Sequence, residues 1–119
     1  MDQPSSHLRI KQVDGVVVAE FVDRKILDEL AIQEIGDELE RLAESEAGIR
    51  LLLNFRSVEH LSSAALGMLI NINKKVNARN GRLKLAEINR QILEVFKITQ
   101  LNRVFQIHDT ADQAIEDLR

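Results

Sequence analysis

Two short stretches, residues 16–22 and 49–54, are apolar at nearly every position. They read Val-Val-Val-Ala-Glu-Phe-Val and Ile-Arg-Leu-Leu-Leu-Asn. Neither alternates, and both are short, which suits a strand covered on both faces. Between them Ile32, Ile35, Leu39 and Leu42 step by 3, 4 and 3, making one apolar helical stripe. The other side of that helix carries Glu34, Asp37, Glu38, Glu40, Arg41 and Glu44, and Gly48 follows as a stop signal. Two buried strands joined through a helix share a sheet by a crossover, so they run parallel.

The rest of the chain extends this pattern. Residues 8–13 set Leu8 and Ile10 against Arg9 and Lys11, the period of a half-exposed strand. Asp14-Gly15 then signals a two-residue hairpin into the first apolar run. Asp23-Arg24-Lys25 reads as a charged loop, and residues 54–61 as a second loop. From Ser62, the positions Ala65, Leu69, Ile72 and Val76, widened by Leu66 and Ile70, predict a second long helix that Asn80-Gly81 ends. Residues 82–86 suit a strand. Residues 88–97 suit a short helix packing Ile92, Leu93 and Phe96, with Asn89 as its cap. Residues 104–107 suit a last strand. Asp109 or Thr110 can cap a final helix bearing Ala111, Ala114, Ile115 and Leu118. The expected fold is a single α/β domain over residues 1–119. It has a mixed, mostly parallel sheet of four to five strands, four or so helices and an opening β-hairpin, with residues 1–7 loose.

Composition narrows the function. With 16 Lys and Arg against 19 Asp and Glu, the formal charge is -3, unlike the basic footprint of a nucleic-acid binder. There is no Trp or Tyr on which bases could stack. Cysteine is absent, which removes disulfides and thiolate chemistry. Residues 1–7 lack the pattern of a signal peptide, and the apolar runs are too short to span a bilayer. A cytoplasmic protein is the expectation. His7, His60 and His108 are too widely spaced to suggest a metal set. No glycine-rich phosphate loop or Gly-x-Ser-x-Gly elbow is present. A Ser63–His60 pair has no evident third group to orient the histidine. No catalytic residue, metal or cofactor is therefore expected.

The junction of the third strand with the second long helix carries the functional signal. In an open α/β sheet, the loop leaving the carboxyl end of a strand is the usual site. Here that loop delivers Ser62-Ser63-Ala64-Ala65-Leu66-Gly67 to a helix start. This stretch resembles, in register, the signature Asp-Ser-Ser/Thr-Gly-Leu-Gly of STAS domains, found in anti-sigma-factor antagonists and in the cytoplasmic tails of sulfate transporters. Ile26-Leu27-Asp28, Gly81–Leu85 and residues 98–105 resemble further family segments. The order of elements agrees over roughly residues 8 to 118. Three positions depart from the pattern: Ser62 and Asn54 stand where the family has Asp, and Ala65 where it has Gly.

The resemblance implies a STAS-like fold and a regulatory, non-enzymatic role. The implied partner is an anti-sigma factor that is a serine kinase of the histidine-kinase-like ATPase fold. The implied phosphorylated residue is Ser63, with Ser62 the weaker candidate. Around it, Asn54, Arg56, His60, Ser62, Ser63, Asp23, Arg24 and Asp28 form the expected partner-binding set, with no direct contact to nucleic acid or membrane. Plainer readings stand beside these. Ser62 and Ser63 suit helix capping, Asn54 a strand-end hydrogen bond, Asp28 the cap of the first helix, and Arg56, His60, Asp23 and Arg24 a solvated loop. Two alternative functions also remain. One is a STAS scaffold that is never phosphorylated. The other is a sensor whose helix N-terminus holds an anion or a nucleotide phosphate.

Overall fold

The computed structural model describes residues 7–119. In chain order these form β1 (Leu8–Val13), β2 (Val16–Phe21), β3 (Lys25–Ile26), α1 (Glu29–Ser45), β4 (Arg50–Asn54), β5 (His60–Leu61), α2 (Ser63–Ala78), β6 (Arg82–Ala86), α3 (Arg90–Ile98), a single 3-10 turn (Leu101–Arg103), β7 (Gln106–His108) and α4 (Ala111–Leu118). The main sheet has the order β1-β2-β4-β6-β7. β1 and β2 are antiparallel, and every other neighbouring pair is parallel. The hairpin between β1 and β2 turns on Asp14 and Gly15, with φ of 53° and 82°. Positive φ at both central residues is what a two-residue primed turn requires.

The registers explain why the central strands are apolar throughout. Val17 pairs with Leu51 and Ala19 with Leu53, and these two leucines pair with Leu83 and Leu85. All six belong to the main core, with Ile35 and Leu39 of α1 and Leu69, Ile72 and Val76 of α2. The intervening residues Val16, Val18, Leu52 and Ala86 point to the opposite face, where Ala114 and Leu118 of α4 cover them. A strand covered from both sides has no polar face, so its alternation disappears. Each helix opens on a side-chain cap. Asp28, Ser62, Asn89 and Thr110 accept hydrogen bonds from the N–H groups of Ala31, Ala65, Ile92 and Gln113.

Several expectations need correction. Residues 1–6 of the segment read as loose lie outside the described residues, but His7 is no tail residue. Its side chain is 15% exposed and bonds both Asp23 and Glu34. Ile10, read as inward, is 40% exposed on β1, the edge strand of the sheet. The two loops read as structureless each hold a two-residue strand, and β3 and β5 pair in parallel. The last strand begins later than expected. Leu101–Arg103 form a 3-10 turn, Phe105 packs edge-on to Phe96 at 5.9 Å, and only then does β7 start.

Lys84 was not singled out in the sequence, yet its side chain is 2% exposed beneath α4. Its ammonium donates to Gln106 Oε1 and to a carboxylate oxygen of Asp117. That hydrogen bond and the Lys84 charge, with smaller help from His108 and Arg82, hold the Asp117 carboxyl below its ordinary range. The linkage has a fixed sign. The contribution is present above the ordinary carboxylate range and is lost as pH falls through the depressed folded value. Acid unfolding followed by circular dichroism is expected to lose part of its steepness in Asp117→Asn. Asp117→Ala strands a buried ammonium, whereas Lys84→Met removes the charge altogether, so Asp117→Ala should melt at the lower temperature of the two.

Candidate functional site

The site is built at the carboxyl end of β4. Asn54 closes that strand, 4% exposed, and its Oδ1 accepts from the N–H of Arg56 at 2.9 Å. This is a local side-chain turn that bends the chain out of the sheet. Phe55 then drops into the core against Phe21, with ring centroids 4.8 Å apart. Its N–H donates to the carbonyl of Ala86 on the neighbouring strand. The loop that follows is tied on two sides. The carbonyl of Arg24 accepts from the N–H groups of Glu59 and His60, and the carbonyl of Ile26 accepts from Ser62. On the far side, Asn89 Nδ2 donates to the carbonyls of Val58 and Glu59, at 3.2 and 3.4 Å. A segment that would be mobile as a free loop is thereby fixed, and it sets the start of α2.

At that start the two serines have different fates. Ser62 is the cap, its Oγ accepting from Ala65 N–H at 3.2 Å. Its hydroxyl is committed to the helix. Ser63 is the first helical residue and is exposed. Among the described residues no hydrogen bond engages its hydroxyl. The β3–β5 pairing lays Leu27 and Asp28 alongside Ser62 and Ser63, so α1 and α2 begin next to one another. Asp28 caps α1 through Ala31 N–H. Leu27 and Leu30 beside it are 51% and 64% exposed.

The remaining expected residues divide clearly. Arg24, Asp28, His60, Ser62 and Ser63 come together on this rim. Arg24 bonds Glu59 through Nε and Nη2, at 3.1 and 2.9 Å. Both groups are well exposed, so the pair is worth roughly 0–1 kcal/mol. His60 and Arg56 are exposed on the loop. Asn54 lies beneath the rim as a turn former. Asp23 is turned away from it and bonds His7. Glu59, Leu27 and Leu30 were not among the expected site residues, because an isolated acid, a leucine before a helix and another in its first turn carry no distinctive signal of a binding surface. Asn89 was recognised as a cap, but its second bond, to the loop, is a tertiary contact that no local pattern encodes.

Gly67 lies one helical turn beyond Ser63 on the exposed side of α2. A Cβ added there would meet nothing within 4 Å. A glycine in mid-helix costs about 0.5–1 kcal/mol relative to alanine. Gly67→Ala should therefore raise stability by about that amount in urea unfolding. A fall in stability would mean that the position is more crowded than its geometry shows.

This arrangement agrees with the comparisons with known proteins. The STAS domain model matches residues 7–114, and the chain belongs to that family. A Thermotoga neapolitana protein assigned by name to the anti-sigma factor antagonists is 34% identical over 70 residues, which are 59% of this chain. The matched stretch spans 62% of that relative's length. A crystal structure from Thermotoga maritima, assigned to the same class, is 28% identical with a TM-score of 0.75, covering 94% of each chain. The Bacillus cell fate determinant SpoIIAA in its phosphorylated form is 18% identical with a TM-score of 0.69, covering 94% of this chain and 99% of its own. The mixed sheet with its opening hairpin is the fold of these proteins. Among the described residues no helix is long and apolar enough to cross a membrane.

Proposed function

We propose that this chain is a partner-switching antagonist. In this reading it binds an anti-sigma factor that is also a serine kinase, frees a sigma factor, and lets go when Ser63 is phosphorylated. The observation that carries the reading is the division of labour between the two serines. Ser62 takes the cap, which leaves the Ser63 hydroxyl exposed and unengaged on a fixed platform. A phosphoserine there adds about -1.5 to -2 charge. The free N–H groups and positive dipole end of α2 favour that charge by roughly 0.3–2 kcal/mol, so the fold accepts it without rearrangement. A partner seated on Leu27 and Leu30 would instead meet a new dianion beside an apolar contact. Repulsion and desolvation then separate the two proteins, and no conformational change is needed in this chain.

Incubation with the cognate kinase and ATP, followed by intact mass, tests the site. One phosphate is expected on wild type and on Ser62→Ala, and none on Ser63→Ala. Ser62→Ala should lose about 1 kcal/mol of stability with its cap. A phosphate that survives Ser63→Ala defeats the assignment. Ser63→Asp is expected to weaken partner binding at least about tenfold, or ~1.4 kcal/mol.

The second reading is a STAS scaffold that is never phosphorylated. It is favoured by Asn54 and Ser62, which stand where the family carries acids that a kinase could recognise. It predicts that Ser63→Asp binds its partner as wild type does.

A further inference from the structure

We propose that His7 is a proton-operated clamp that, as the imidazolium, ties the start of β1 to the loop after β2 and to α1. Its Nδ1 lies 2.9 Å from Asp23 Oδ2 and its Nε2 lies 2.9 Å from Glu34 Oε1. Ionised carboxylates only accept, and a neutral imidazole has a single N–H to donate. Both contacts are therefore satisfied together only by the charged ring. When the proton leaves, one ring nitrogen turns a lone pair toward a carboxylate, and that contact changes from attraction to repulsion. The ring and Asp23 are 15% and 23% exposed, so that contact is screened less than a solvated pair, whereas Glu34 is 54% exposed.

The clamp sits where the supports of the rim converge. Asp23 adjoins Arg24, whose carbonyl holds the N–H groups of Glu59 and His60. Glu34 lies in α1, whose cap Asp28 stands beside the Ser62–Ser63 start of α2. The main chain is joined at the same point, since the N–H of Val22 donates to the carbonyl of His7. Among the described residues, Asp23, from the loop after β2, and Glu34, from α1, are the charges that act on the ring. On the strands, the charged Arg9 and Glu20 oppose each other in the β1–β2 register. Partial burial lowers the His7 value, but the hydrogen bonds to Glu34 and Asp23 and their charges outweigh it and raise it above the ordinary histidine range. The stabilisation is thus complete below that ordinary range and is lost as pH rises through the raised folded value. The clamp is closed below the ordinary histidine range and opens as pH rises through the raised folded value.

The test is an NMR titration of the full chain in a His60→Gln variant, so that the rim's own histidine is silent. The imidazole signals of His7 and the backbone amides of Arg24 and Glu59 are followed together. A His7 midpoint above the ordinary histidine range is expected, with both amides shifting at that same midpoint. Asp23→Asn and Glu34→Gln should each move the midpoint down. An ordinary midpoint, a midpoint indifferent to both variants, or amides that do not follow the ring would each overturn the proposal.

Discussion

Phe55→Ala is expected to lower the unfolding free energy by about 3–5 kcal/mol, measured by urea unfolding at neutral pH. A domain of this kind commonly has only about 5–15 kcal/mol in all, so the variant should be close to marginal. The ring is fully buried, packs on Phe21 and belongs to the main core over α1 and α2. Truncation removes its transfer free energy and leaves a cavity that a sheet pinned on both faces cannot close. Alanine keeps the backbone bonds of this position but loses the ring that anchors them. Phe55 N–H holds the Ala86 carbonyl, and the Phe55 carbonyl receives the N–H of Val58. The residue is thus the root of the loop that carries Glu59, His60 and the two serines. Hydrogen exchange at Val58 and Glu59 should rise out of proportion to the global loss. Arg56→Ala, one position on and exposed, supplies the control and should stay within about 0.5 kcal/mol of wild type. A Phe55→Ala effect below about 1 kcal/mol would mean that the core collapses around the gap.

The frame was legible because its signals are local. The two unbroken apolar runs announce strands with two covered faces, Asp14-Gly15 announces a primed turn, and the stripes of α1 and α2 have clean helical spacing. The caps were legible for the same reason, since Asp28, Ser62, Asn89 and Thr110 act within one turn of themselves. What escaped depends on contacts between distant segments. β3 and β5 are two residues each, too short to show a period, and exist because each supplies the other's backbone partners. Ile10 has the right alternation but sits mid-strand on the sheet edge, where it stays 40% exposed. Lys84 occupies the solvent phase of a pattern whose solvent side is filled by α4. At the site itself the sequence marked the serine pair, and the hydrogen bonds separated the two roles. Asp23 was assigned to the rim from its neighbours in sequence, while its carboxylate turns to His7 instead.

Gly81 shows the same limit, and Gly81→Ala is expected to cost about 1–3 kcal/mol. Asn80-Gly81 reads as the end of the second long helix, and helices commonly end on a residue in the left-handed conformation, most often glycine. The structure gives that conformation to Asn80, with φ of 63°, and Gly81 is not among the positive-φ residues. Conformational freedom is therefore not why a glycine stands there. The reason is space. A Cβ on Gly81 would lie 2.8 Å from the Ile49 carbonyl oxygen, 2.8 Å from Val76 Cγ1 and 3.0 Å from Ile49 Cγ2. None of these neighbours retreats cheaply. The Ile49 carbonyl accepts from Arg82 N–H at 2.8 Å, the hydrogen bond that starts the β4–β6 pairing. Gly81 N–H itself holds the Val76 carbonyl at 2.9 Å, closing the end of α2. Val76 and Ile49 are buried, so pushing either aside disturbs the main core. The added methyl must break a ladder bond, unwind the helix end or overpack the core. Gly67→Ala is the matched substitution in open space and should move the other way. Urea midpoints of the two variants, measured side by side with wild type, decide the matter. Opposite displacements support the crowding argument, and a Gly81→Ala midpoint at or above wild type refutes it.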